Sequence, residues 1–304
     1  MGYRSAVPSV RERTKQLLRS LRYSQPFNWI ATGVVRALVP SAKPGGVIHR
    51  HLHKVGTTTV FLPQGQPLRM RANADDGVSN DLFWGGWDGY EPEVTPDFYE
   101  RARSARVTLD VGAHVGFYAV LAGIANPAGK VYAFEPLPPI FARLQSNVLL
   151  NELANVECIQ TVVSDRRGEI DFYYSTETEL PSSSSTSLEF MKDGSKLTNR
   201  RLATIPIDEV VAERGIVGVD LVKIDTETTE PQVLAGMAAL LERDRPAIIC
   251  EVLAGFDVET RLDALVAQHR YVRFLMTDTG LVPRDCIIAD KTWKNWLFLA
   301  KERA

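Results

Sequence analysis

The sequence predicts an α/β protein organised around a mostly parallel β-sheet. Three observations carry that expectation. From Val107 onward, apolar runs of strand length alternate with helical stretches, the pattern of βαβ units. The first run ends in Asp110-Val-Gly112-Ala-His114-Val-Gly116, a glycine turn that opens a helix. Acidic residues, Glu135, Asp225 and Glu251, close later runs, at the sheet edge where ligands bind in such folds.

The front of the chain differs in character. Residues 1–22 carry six Lys or Arg against the single acid Glu12, with Val10, Leu17, Leu18 and Leu21 at roughly helical spacing. This predicts a basic amphipathic helix over 9–22, solvated and packed on its own domain or a partner, with membrane-surface contact as the alternative. A second helix is expected over 27–38, ended by Pro40 and the Pro-Gly-Gly of 44–46. His49, His51 and His53 alternate, as on one face of a strand; a solvated strand is the simpler reading, a zinc site the sharper one. The β-branched run 57–62 and the apolar–basic alternation 68–71, joined by Pro-Gln-Gly-Gln-Pro, predict a β-hairpin. Residues 81–90 read as an aromatic, glycine-rich loop. Trp84, Trp87 and Tyr90 are candidate substrate contacts, because flat aromatic faces suit sugar C–H faces; anchoring the front segment to the core is the other use for them. A short helix over 96–103 follows.

The regular part supplies seven candidate strands: Val107–Val111, Lys130–Phe134, Val156–Ile159, 221–224, Ala247–Glu251, 272–275 and 296–299. Helices are expected at 115–125, 138–150, 230–241 and 258–268. A hairpin over 169–174 and 202–206 flanks a serine-rich run, 181–187, which reads as a loop.

Composition narrows the function classes. The 304 residues are 45% hydrophobic and 24% charged, ordinary globular usage. A formal net charge of −2 provides no global positive field, so nucleic-acid binding is not expected. Cys158, Cys250 and Cys286 are odd in number and lack Cys-x-x-Cys spacing, which suits a reducing cytoplasm better than a disulfide scaffold. The most apolar early stretch, 27–39, is interrupted by Asn28 and Arg36 and falls short of the roughly 20 residues that a span requires. A soluble, cytoplasmic protein without stable membrane insertion is the expectation.

The glycine turn is the strongest chemical signal. Its D-x-G-x-x-x-G spacing differs from the dinucleotide fingerprint and favours a nucleoside cofactor without a pyrophosphate. Glu135, at the end of the next strand, is placed to accept hydrogen bonds from ribose hydroxyls. Lys223 and Asp225 share one face of a strand, and Asp225, Glu227 and Glu230 follow at its ligand edge. Glu251 ends the next strand in the same manner.

These pieces, with Phe134-Glu135-Pro136, Leu144-x-x-Asn147-x-x-x-Asn151, Ser164-Asp165-x-x-Gly168, Arg245 to Glu251 and Tyr90-Glu91-Pro92, occur in the order seen in FkbM-type methyltransferases, and the chain resembles that family from about Asp75 to Leu299. The resemblance implies a Rossmann-like class I methyltransferase core that binds S-adenosylmethionine. It implies a seven-stranded, mostly parallel sheet with the last strand antiparallel, and O-methylation of a sugar or natural-product hydroxyl, as in natural product biosynthesis. Residues 107–304 would form this domain, with 1–106 as an N-terminal extension of helices, hairpin and aromatic lid that offers contacts for a homo-oligomer. Carried over by residue, Asp110, Gly112, His114 and Gly116 surround the methionine end of the cofactor, Glu135 the ribose, and Ser164 and Asp165 the adenine. Asp225, Glu227 and Glu230 fall near the methyl and the acceptor, with Glu251 as a further acceptor contact. The family usually has Asn at His114 and Gly at Thr228.

Asp225 is the first candidate base, Glu227 the second and His114 the third. No metal site is expected, since no complete ligand set appears by spacing; a metal-assisted O-methyltransferase stays an alternative. Another is a catalytically silent methyltransferase-fold binding protein, motivated by Thr228. A dehydrogenase is disfavoured by the glycine spacing, and because no tyrosine is followed by lysine four positions later.

Overall fold

The computed structural model describes residues 24–39, 44–175, 184–187, 191 and 197–303. The helix expected over 9–22 lies outside them, as does part of the serine-rich run. The front segment contributes helix α1 (Gln25–Leu38), a short α2 (Val47–His51), and a hairpin of β1 (Val55–Phe61) and β2 (Pro67–Asn73). Helices α3 (Gly77–Gly85) and α4 (Thr95–Ala102) follow.

Two expectations are corrected here. The histidines 49 and 51 lie on α2, with 53 just beyond, rather than on a strand. They face different partners: His49 Nε2 is 2.5 Å from Asp81 Oδ1, whereas His53 Nδ1 is 3.4 Å from the Ala74 carbonyl. Among the described residues no three His, Cys, Asp or Glu side chains are grouped to hold a metal. The aromatic loop is mostly helix: Asp76 accepts a hydrogen bond from Ser79 N (2.7 Å) and caps α3, which buries Leu82, Phe83 and Trp84. Only a single 3₁₀ turn, Gly86–Asp88, continues it.

The regular part runs β3 (Val107–Val111), α5 (Phe117–Ala125), β4 (Lys130–Phe134), α6 (Pro138–Leu150), β5 (Val156–Ile159), and then a small sheet of β6 (Val162–Val163), β7 (Gly168–Ser175), β8 (Ser184–Ser185) and β9 (Leu197–Ile205). It continues through α7 (Ile207–Arg214), β10 (Val219–Ile224), α8 (Glu230–Ala235), α9 (Ala238–Asp244), β11 (Ala247–Glu251), α10 (Val258–Gln268), β12 (Tyr271–Thr277), β13 (Gly280–Arg284) and β14 (Asn295–Ala300). The helix expected over 230–241 is broken at Gly236, where a Cβ would stand 2.1 Å from the Ser164 carbonyl oxygen.

The main sheet has the order β13-β12-β14-β11-β10-β3-β4-β5. All seven expected strands are present. Neighbours from β5 to β11 are parallel, and β14 inserts antiparallel between β11 and β12. An eighth strand, β13, adds to the edge as a hairpin with β12. It is largely exposed and contains Pro283, so it lacks the apolar run that reveals a buried strand.

Successive residues of β10 serve opposite faces: Leu221 enters the core beneath α5 and α6, and Val222 and Ile224 enter the core beneath α7 to α10. The hairpin joins the first of these cores through Val60, Leu68 and Met70. Its outer edge is satisfied by α6: Arg69 N and Arg71 N donate to Asn151 Oδ1 (2.9 Å) and Asn147 Oδ1 (2.8 Å). Asn147 also donates to the Val115 carbonyl at 2.8 Å, tying hairpin, helix and glycine turn together.

Candidate active site

Chain order reverses between β3 and β10, so their carboxyl ends open a crevice, the usual ligand position in such sheets. The turn after β3 forms its floor. Gly112 has φ +82°, and a Cβ there would lie 1.8 Å from the Asp225 carbonyl oxygen, so only glycine lets the turns after β3 and β10 touch. Gly112 N and Ala113 N donate to the Phe134 carbonyl at 3.1 and 2.9 Å. His114, at φ +49°, donates its N–H to Glu135 Oε2 (3.1 Å), and Leu137 N donates to Glu135 Oε1 (2.9 Å). The Glu135 carboxylate thus braces the glycine turn from the next strand and keeps lone pairs for a ligand. Burial pushes its pKa up to about 7 against the pull of those two bonds.

The cavity above this floor has a volume of about 290 Å³. Asp110, His114, Glu135, Asp225, Glu227 and Tyr90 line it. Lys223 is fully buried beneath, in register with Asp110 on β3. Its Nζ stands 3.3 Å from Asp225 Oδ2 and 5.2 Å from the Tyr118 ring centre. Burial alone would strip its proton, but Asp225, Glu91, Glu251 and Asp110 together outweigh that and hold it charged. Asp110 is also buried; desolvation raises its pKa to about 7 despite Lys223, and its Oδ2 has no hydrogen-bond partner.

The acids after β10 divide in role. Glu230 accepts from Thr226 N, Thr226 Oγ1 and Thr228 N, each at 3.1 Å, so its Oε1 ties the turn before α8. Burial raises Glu227 to about 8 and Glu251 to about 10, each reinforced by Asp225. These two share a second depression with Phe256 and Lys294. Glu227 and Thr228 both have positive φ, +54° and +82°.

The structure therefore brings Asp110, Gly112, His114, Glu135, Asp225, Glu227 and Tyr90 to one cavity. It leaves Gly116, Ser164, Asp165, Glu230 and Glu251 outside that lining. Ser164 is buried against Gly236, and Asp165 is exposed. Trp84 and Trp87 are corrected from lid to anchor. Trp84 Nε1 donates to the Leu52 carbonyl (3.0 Å), and Trp87 packs edge-on against Tyr99 at 5.4 Å. Tyr90 packs on Phe117 at 5.2 Å and still reaches the cavity.

Sequence reasoning missed Glu91 and Tyr118, whose hydroxyl donates to Glu91 Oε2 over the buried lysine, as well as Asp75, Asp76 and Asp81 on the wall formed by the start of α3. Arg143 pairs with Asp75 (3.0 Å) and Asp76 (3.7 Å). The signal available for that wall was the Asp-Asp at the start of α3, which reads as no more than a helix cap.

The chain is similar in sequence to known methyltransferases. The chain is 30% identical to the 31-O-demethyl-FK506 methyltransferase FkbM of Streptomyces tacrolimicus, over 55% of this chain and 72% of that protein. It is also 30% identical to the hexuronic acid methyltransferase AglP of Haloferax volcanii, over 55% of this chain and 64% of that one. A solved methyltransferase FkbM from Methylobacillus flagellatus KT superposes with a TM-score of 0.42 at 15% identity, covering 64% of this chain and 43% of that one. The model of the methyltransferase FkbM domain matches residues 110–280. That stretch begins at the buried aspartate of the glycine turn, takes in the crevice acids and covers more than half of the sequence; the chain belongs to the FkbM methyltransferase family.

Proposed function

We propose that the protein is an S-adenosylmethionine-dependent O-methyltransferase whose acceptor is a hydroxyl of a sugar or natural product. The observation that carries this is the joint placement of Glu135 and Gly112. The carboxylate is pinned by two backbone N–H groups beside a turn that no side chain could enter. The residues fit the cofactor. Glu135 would take the ribose hydroxyls, and Gly112, His114 and the unpaired Oδ2 of Asp110 would surround the amino-acid end. Neighbouring Thr161, Val162 and Phe172 supply apolar and polar wall for a flat base. When bound, S-adenosylmethionine supplies an electrophilic methyl group on sulfur.

The chain's own part is alignment and proton handling. Asp225 borders the cavity with a quarter of its side chain exposed, and its Oδ2 faces Lys223. It would accept the proton of the acceptor hydroxyl while the lysine holds its carboxylate in place. Glu227 lies between the cavity and the second depression and would position the acceptor. Relatives described as acting on a hexuronic acid and on a demethylated FK506 support an oxygen-rich acceptor.

A catalytically silent binding protein is the second reading, favoured by Thr228, a β-branched residue at φ +82° with its Oγ1 buried and unbonded beside Glu227. Calorimetric titration with S-adenosylhomocysteine tests the first reading: saturable binding is expected, and none at high micromolar ligand would sink it. Binding without methyl transfer to any member of a glycoside and polyketide panel would favour the second.

A further inference from the structure

Helix α1 is packed with its polar side inward. Asn28 and Thr32, one turn apart, are the buried residues. Asn28 Nδ2 donates to the His53 carbonyl and Asn28 Oδ1 accepts from Val55 N, both at 2.8 Å, which pins the helix to the start of β1. The outward side is apolar. Phe27, Ile30, Val34 and Leu38 recur at helical spacing and are 53%, 56%, 51% and 77% exposed, with Trp29 at 69%. A helix that packs on its own domain normally buries such a stripe.

Beside the stripe is a groove lined by Trp29, Ile30, Val34 and Phe83, with Arg36 and Lys54 in its wall. The Arg36 guanidinium and the Lys54 ammonium both lie over the Phe83 ring, 4.9 and 5.1 Å from its centre. Among the described residues, no carboxylate is within ion-pair distance of either cation. Burial and the neighbouring Arg36 lower the Lys54 pKa, as expected for a cation lacking its counter-charge. Residues 1–54 as a whole hold ten Lys or Arg and one acid.

We propose that α1, with Arg36 and Lys54, is a peripheral docking face for an anionic phospholipid surface. The apolar stripe sinks into the boundary between headgroups and acyl chains, and Trp29 occupies the interfacial zone that indole rings favour. The exposed Arg36 meets lipid phosphate, while Lys54, buried beneath the helix, adds its positive field, and the basic front adds attraction to the negative surface. Charge decides against the other occupants. A second copy docked through this face by a two-fold axis would bring Arg36 and Lys54 toward their own equivalents, like charge against like. A nucleic acid would leave Phe27, Ile30 and Leu38 in water.

The test is co-sedimentation of the full chain with vesicles of phosphatidylcholine alone and of phosphatidylcholine mixed with phosphatidylglycerol. Binding to the anionic vesicles is expected, weakened on the order of tenfold or more in neutral ones and by added salt. The I30E/V34E variant changes only exposed positions, so it should keep the wild-type Tm and lose vesicle binding; R36Q/K54Q should bind more weakly. No binding to anionic vesicles, equal binding to neutral ones, or full binding by I30E/V34E would each overturn the proposal. So would a dimer in light scattering that I30E/V34E dissociates without any vesicle binding.

Discussion

The space that a side chain on Gly112 would occupy is already filled by the main chain of Asp225. A Cβ there would meet the Asp225 carbonyl oxygen at 1.8 Å. The turn that floors the cavity and the turn that presents the candidate base are therefore one packed unit. Gly112→Ala must push them apart and adopt φ +82° with a Cβ. A loss of stability on the order of 2–4 kcal/mol is expected, with S-adenosylhomocysteine binding reduced beyond detection. Thermal melts and calorimetry on the purified variant check both. Wild-type binding would show that the two turns are not coupled.

Thr228→Gly acts in the opposite direction. It relieves a β-branched residue of a left-handed backbone and removes a buried, unbonded hydroxyl, against the extra chain entropy of glycine in the unfolded state. A net gain on the order of 1 kcal/mol is expected, seen as a Tm increase of about 2–4 °C. A lower Tm would mean that Thr228 makes a contribution its geometry does not reveal.

Lys223 sits among Asp225, Asp110, Glu91 and Glu251. Lys223→Met would leave these acids facing one another, a loss on the order of 3–5 kcal/mol at neutral pH. Burial already raises Asp110, Glu91 and Glu251, and without the lowering pull of the lysine these three rise further. The deficit should therefore be smaller at pH 5 than at pH 8, measured as the Tm difference from wild type. A deficit independent of pH would assign Lys223 a packing role alone.

In the wild-type protein Glu135, Asp110 and Glu230 are each raised to about 7 by burial. The folded state holds these protons more tightly than the unfolded chain. Their contribution to stability is complete below the unfolded values near 4 and is lost as pH rises through about 7, on the order of 3 kcal/mol for each group. Asp220 and Asp244, lowered by Arg106 and Arg243, act the other way and only below about pH 4. The ligand-free Tm should therefore fall between pH 5 and pH 8, and Glu135→Gln should flatten part of that slope. A Tm that rises over the same interval would contradict the buried-carboxylate account.

Asp225→Asn keeps the shape of the side chain and removes its basicity. Once an acceptor is in hand, kcat should fall on the order of 10²- to 10⁴-fold, with S-adenosylhomocysteine affinity within severalfold of wild type. A variant that turns over normally would move the base to Glu227 or His114.

The sheet was legible because strands buried on both faces are predominantly apolar: Ala247–Glu251 is apolar up to its terminal glutamate, and Val107–Val111 is interrupted only by Thr108 and Asp110. β13, exposed and carrying Pro283, had no such mark. Asp110, Gly112, Glu135 and Asp225 were legible for a related reason: charge and glycine stand out where an apolar run stops. Glu91 and Tyr118 meet Lys223 only through tertiary packing, and no local pattern announces that. Trp84 and Trp87 were misread because the glycines around them suggest a loop, whereas the Asp76 cap and the buried side of α3 make the segment helical.

The asparagines of α6 have a metrical consequence. Four residues of helix advance about 6 Å, and two residues of strand advance about 6.8 Å, so Asn147 and Asn151 can span Arg71 and Arg69 as a two-tooth gauge. A slip of the hairpin by one residue would turn its free N–H groups away from the gauge, and a slip by two would leave one tooth empty. The front segment is thus indexed to the crevice in whole steps, and Glu91, threaded from it, reaches the buried lysine at only one setting.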